Sequence, residues 1–220
     1  PVMSAEEVLG GFNAVTTPGW MWGIDLTSDA SLGLVSWWGQ VDQYSYSYAW
    51  AGDAKAIDAG LYAAIPATDV RKQQFEEPSG VYEDLMPLYK FYDPARVIGG
   101  QATITTDYVF MRISEMYFLN AEAAAHLGND AAAVTSLKAV LDERLDDTAY
   151  LDNLSGQQLL DEIYLQTRIE FWGEGKSYLA MKRNKATIVR GANHLSFVGV
   201  PIPYNDERLT FEIPESEIQN

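Results

Sequence analysis

Carboxylates are the residues whose spacing could most readily do chemistry. Glu115 and Glu122 lie within "YVFMRISEMYFLNAEAAAHLG" (108–128), an apolar, Ala-rich run that reads as one helix. Seven residues place them on one helical face, about 10.5 Å apart along the axis at ~1.5 Å per residue. A retaining glycosidase needs about 5 to 5.5 Å between its carboxyl groups and an inverting one about 6.5 to 9.5 Å. The pair is too widely spaced, and Arg112 stands three residues before Glu115, the spacing of an intrahelical ion pair. Glu170 and Glu174 are closer, at about 6 Å of helical rise. However, Arg168, Lys176, Lys182 and Arg183 crowd the same segment. Neighbouring cations lower a carboxyl pKa, whereas a general acid at neutral pH needs it raised. Arg112, Glu115, Glu122, Arg168, Glu170, Glu174 and Arg183 therefore read as a structural ion-pair network.

Other chemical motifs fail on their context. "GEGKS" (173–177) imitates the end of a phosphate-binding loop, but the earlier glycine would fall on Glu170, and a helix precedes it where a strand is required. His126 and His194 are the only histidines, without an HExxH arrangement, and there is no cysteine. That composition excludes disulfides and thiol nucleophiles and points to no metal, no cofactor and no catalytic triad.

Aromatic residues are the more informative set. Trp20, Trp22, Trp37, Trp38 and Trp50 are five of the six tryptophans, and Tyr44, Tyr46 and Tyr48 alternate with Ser45 and Ser47. In an extended segment the three tyrosines share one side, while adjacent Trp37 and Trp38 face opposite ways. Two readings stand: a strand face buried in the core, or a platform of flat rings with polar tips, suited to a neutral sugar's apolar face and hydroxyls.

The elements that must hold these residues are mostly helical. With 220 residues, 47% hydrophobic, the chain can build a substantial core. Its formal charge of −16 disfavours nucleic acid and anionic lipid as partners. No run approaches the ~18 apolar residues of a membrane span. Ser4 and Glu7 form a capping box for a short first helix reaching about Asn13. Residues 16 to 50 read as loops with short extended pieces, and "GDAKAIDAGLYAAIP" as a helix running from Asp53 to before Pro66. "QATITTDYVF" opens as a strand, and from about Asp107 a helix runs to Leu127, with Gly128 as its C-terminal cap. A second helix from Asp130 carries Ala133, Val134, Leu137, Val140 and Leu141 on one stripe. The short turn between them forces antiparallel packing, and Ala121 with Ala133 approximates a tetratricopeptide hairpin. A third helix follows Ser155 to Phe171, and a fourth spans Ser177 to Arg183. Pro201, Pro203 and Pro214 keep the remainder loop-like.

Three segments carry a family resemblance. "RISEMYFLNAEAAAHLG" resembles the R-x-x-E-x-Y-L-x-x-A-E-A helix of the SusD/RagB family of outer-membrane glycan-binding lipoproteins. "RIEFWGEGKSYLAMKR" is similar to that family's E-R-R-x-E-x-x-x-E-G-x-R-x-x-D-L-x-R segment. Arg168, Glu170, Glu174, Gly175 and Arg183 fall on family positions, while Gln166, Thr167, Ser177 and Ala180 depart from the usual Glu, Arg, Arg and Asp. "FEIPESEIQN" is similar to the terminal I-P-x-x-E-I-x-x-N signature. The resemblance implies a mainly α fold: tetratricopeptide-like hairpins, long irregular loops and a few short strands. It implies a single C-terminal region over 1–220, with a loop-rich glycan-binding part (1–106), a helical scaffold (107–184) and C-terminal loops (185–220). The N-terminal half, with its signal peptide and lipidated cysteine, would be missing. It further implies non-catalytic glycan binding at the bacterial cell surface, a SusC-like TonB-dependent transporter as partner, and membrane association only through that lipid anchor. The main alternative is a helical-repeat adaptor for a protein or peptide, its aromatics buried as core; a third, weaker one is a glycoside hydrolase, against which the charge-paired carboxylates count.

Overall fold

The computed structural model describes residues 1–77 and 84–218. Its elements in chain order are β1 (Trp20–Ile24), α1 (Trp37–Val41), α2 (Ala59–Ala64), β2 (Tyr108–Arg112), α3 (Ile113–His126), α4 (Asp130–Leu141), α5 (Gly156–Glu170), α6 (Ser177–Arg183), β3 (Thr187–Val189), β4 (Pro201–Pro203) and α7 (Glu215–Ile218). The fold is mainly helical, with two small two-stranded antiparallel sheets, β1–β2 and β3–β4.

Helices α3 and α4 form the expected antiparallel hairpin. Gly128 adopts φ +73, the left-handed conformation that ends α3 cheaply only without a side chain. The Asn129 side chain then accepts from Ala132 N–H and caps α4. Ala121, Ala125 and Ala133 are buried in one cluster with Phe118, Leu137, Val140, Leu141, Leu159 and Ile163. Small residues on the facing stripes let the backbones approach, and the larger ones lock against α5.

Several boundaries differ from the sequence reading. The segment 108–112 is a strand rather than the first turn of the long helix: Ile24 and Gly23 of β1 pair with Tyr108 and Val109, and Trp20 faces Arg112. Aromatic and branched residues favour the pleated conformation, and pairing with β1 settles the competition there. The helix expected from Asp53 starts at Ala59, because Asp58 is the cap that accepts from Leu61 N–H. Ser4 and Glu7 do bond reciprocally, N–H to carboxylate at 2.7 Å and N–H to hydroxyl at 3.3 Å. They cap only a 3-10 turn, Glu7–Leu9. Residues 37–41, read as extended, form α1, since Ser36 accepts from Gly39 N–H. The 185–218 segment is not all loop, because β3 and β4 pair within it. Of the terminal signature, Gln219 and Asn220 lie outside the described residues.

Candidate functional site

Two constellations emerge, one buried and charged, the other exposed and aromatic. In the first, the Glu170 carboxylate at the end of α5 receives three guanidinium groups: Arg112 at 3.0 Å, Arg144 at 3.1 Å and Arg71 at 3.3 Å. Glu174 in the following turn accepts from Arg112 Nε at 2.8 Å and Lys90 Nζ at 2.7 Å. Arg71 is paired in turn with Asp69 at 2.6 Å. Leftover donors go to backbone carbonyls: Arg144 to Met3 O, and Arg112 and Lys90 to Glu170 O. Every one of these side chains is buried.

Burial alone would push Glu170 and Glu174 up; the adjacent cations override it and hold both carboxyls below the usual range, Glu170 well below. Burial pulls the Lys90 ammonium below its ordinary value, against the carboxylate facing it. The two carboxylates stay ionised and fully engaged, so they offer no proton to a substrate. The cluster instead clamps the N-terminal segment, the 69–71 turn, the Lys90 loop, the end of β2, the exit of α4 and the end of α5.

The remaining charged residues divide. Glu122 pairs with Arg183 at 2.9 Å. Glu115 lies 2.9 Å from Lys176 Nζ, close enough for an ion pair though not aligned as a hydrogen bond. Arg112 is therefore not the helical partner of Glu115; it leaves the strand end in another direction. Arg168 does not join the network either: its guanidinium lies 5.8 Å from the Tyr164 ring centroid on the same helix. Sequence reasoning missed Asp69, Arg71, Lys90 and Arg144. They come from loops 26 to 101 residues away from Glu170, or nearer its turn partners, with no periodicity to announce them.

The aromatic residues also separate. Trp38 is 1% exposed and Tyr44 7%, both in the core, whereas Tyr46 is 52%, Tyr48 42% and Trp50 44% exposed. The Tyr46 and Trp50 rings lie 4.9 Å apart with planes inclined by 33°. The three tyrosines thus do not act as one face: Tyr44 packs under the loop that presents the other two. Trp37 is half-buried beside Trp38, Phe91 and Phe110 around a pocket of about 270 Å³. Its ring packs on Phe91 at 5.7 Å and Trp172 at 5.9 Å, so this pocket is the joint between the loops and the scaffold. Trp20 is half-buried on β1. Trp22, 62% exposed, stands apart on the sheet and contacts Phe110 at 5.1 Å.

The 42–52 loop that carries Tyr46, Tyr48 and Trp50 is held from below. Asp42 accepts from Tyr44 N–H, Ser45 Oγ and Asp93 N–H. Burial, with a smaller push from Asp93, raises its carboxyl to about 6 against these hydrogen bonds. Tyr44 O accepts from Gly100 and Gln101 N–H, and Tyr46 N–H donates to Gln101 O. Gly99, at φ +61, leaves room for the Trp50 indole, since a methyl group there would stand 2.7 Å from Nε1.

Among the described residues no group of His, Asp or Glu converges as a metal site would require, and no helix is long and apolar enough to cross a membrane.

Comparison with known proteins places this geometry in context. A model of the SusD family matches residues 59–208. No curated protein matches the chain. Among solved structures, a SusD-like carbohydrate-binding protein of Bacteroides vulgatus is 27% identical with a TM-score of 0.77, covering 100% of this chain and 51% of that one. A SusD superfamily protein of the same species is 22% identical with a TM-score of 0.78, covering 100% and 48%. Another, from Bacteroides thetaiotaomicron, is 21% identical with a TM-score of 0.73, covering 100% and 50%. The chain spans about half the length of these solved relatives.

Proposed function

Because the chain belongs to the SusD family, we propose that it binds a glycan without altering it, and that the binding surface is the 42–52 loop. The observation that carries this reading is the exposure of Tyr46, Tyr48 and Trp50 on a loop whose underside is pinned. Exposed aromatic rings are costly to leave in water, and two of them 4.9 Å apart, tilted by 33°, form a surface on which a sugar ring can stack. Pinning the loop in advance reduces the ordering cost of binding. The buried carboxylates support a non-catalytic reading, since cations on all sides hold them ionised. The wider role we propose is capture of oligosaccharide at the bacterial outer-membrane surface and delivery to a SusC-like TonB-dependent transporter, with a lipid anchor providing membrane attachment. Trp20, Trp22 and Trp37 are secondary candidates for sugar contact.

Affinity electrophoresis against a panel of polysaccharides tests the surface. At least one polysaccharide should retard the wild-type chain. Trp50→Ala and Tyr46→Ala should each lose about five- to a hundredfold in affinity, the equivalent of ~1 to 3 kcal/mol of buried ring contact. Retardation that survives both substitutions in folded protein would move the site off this loop.

A further inference from the structure

Next to the exposed rings stands a cation that pairs with no carboxylate among the described residues. Arg96 is exposed, and its guanidinium lies 4.1 Å from the Tyr92 ring centroid, 4.7 Å from Tyr89 and 5.8 Å from Tyr44. Nine of the chain's 15 basic residues form ion pairs within 4.0 Å among the described residues, and Arg96 is not one of them. Five other basic residues (15 less nine less Arg96) share that state, so what sets Arg96 apart is its place against three tyrosine rings beside the 42–52 loop. Its nearest candidate in sequence, Asp93, accepts from Ala95 N–H instead. The backbone at Arg96 is left-handed, φ +51, a conformation glycine or asparagine would adopt with less strain. The guanidinium donates hydrogen bonds to the Tyr92 and Tyr89 side chains, and with five N–H donors it retains others for a planar anion.

The position matters as much as the charge. Gly99, on which Trp50 rests, is three residues from Arg96, so their Cα atoms are at most ~11 Å apart at ~3.8 Å per residue. That lies within the span of a short oligosaccharide. Tyr44 links the two groups directly, beneath Arg96 through its ring and bonded to the 100–101 backbone through its carbonyl. The chain's formal charge of −16 argues for a neutral ligand at long range, but that field is screened beyond about 8 Å at physiological ionic strength.

We propose that Arg96 reads an anionic group on the glycan, a uronate or sialate carboxylate or a sulfate ester, one or a few sugar units away from the Tyr46–Trp50 rings. This rests on the 42–52 loop being the glycan surface. Calorimetry with matched probes tests it: an oligogalacturonate against its methyl ester, a sulfated galactan oligosaccharide against its desulfated form, and sialyllactose against lactose. At least one acidic probe should bind about ten- to a hundredfold more tightly than its neutral partner. Arg96→Gln should abolish that difference while leaving the neutral affinity intact, which also reports that the loop is folded. Arg96→Lys should retain part of it. Equal or weaker binding of all three acidic probes, including no binding at all, overturns the proposal, as does a preference that survives Arg96→Gln. If Trp50→Ala weakens the neutral probes while Arg96→Gln changes none, the loop stands as the site and the anion proposal falls. If Trp50→Ala weakens none, the site itself is elsewhere.

Discussion

Glu170 and Glu174 illustrate how far residue-level reasoning reaches. Their i, i+4 spacing beside several basic residues was enough to assign them to arginine. The partners could not be named, because Arg71, Arg112 and Arg144 are brought in by tertiary structure. Arg168, the sequence-adjacent choice, stays outside. Asp42 carried no signal at all, yet it yields a pH prediction. Its folded carboxyl titrates at about 6 against an ordinary 3.8. The folded state therefore holds this proton more tightly than the unfolded chain. The resulting stabilisation is complete below about pH 3.8 and is lost as pH rises to 6, an effect of roughly 3 kcal/mol at ~1.36 kcal/mol per unit. Stability of wild type measured relative to Asp42→Asn should fall between pH 4 and 6 and level off above. A difference that stays flat across that window would contradict the burial argument.

At the scale of elements, the α3–α4 hairpin, α5 and α6 were legible because periodic apolar stripes and a Gly128 cap speak locally. The strand at 108–112 was not, since its conformation depends on a partner strand some ninety residues earlier. Helix α1 was hidden for a related reason: two tryptophans and a glycine are poor helix formers, and Ser36 supplies the cap. With α1 helical, Trp38 turns into the core, where an extended reading left either tryptophan free to face outward. Leu137 is fully buried where α4 meets α3 and α5. Leu137→Ala should cost about 2 to 5 kcal/mol, lowering the melting temperature by roughly 4 to 20 °C at ~2 to 4 °C per kcal/mol for a chain of this size. A shift below about 2 °C by calorimetry would mean the helices do not pack as described.

In the molecule as a whole a charged clamp holds the helical scaffold together, and a pinned aromatic loop is the surface proposed for the ligand. The family was readable from three motifs because the scaffold residues sit at fixed helical spacings. The loop was readable only as a concentration of rings, since exposure depends on what lies beneath it. The most direct test is a paired calorimetric measurement, ligand affinity and melting temperature, on Trp50→Ala and Glu170→Gln, using the polysaccharide best retained in electrophoresis. Removing the Glu170 charge leaves three buried guanidinium groups short of a counter-ion, a loss of about 3 to 5 kcal/mol. The account predicts that Glu170→Gln melts several degrees lower with unchanged affinity, while Trp50→Ala melts as wild type and binds about five- to a hundredfold more weakly. Loss of affinity in Glu170→Gln with an unaltered melting temperature, or full affinity in Trp50→Ala, would contradict it.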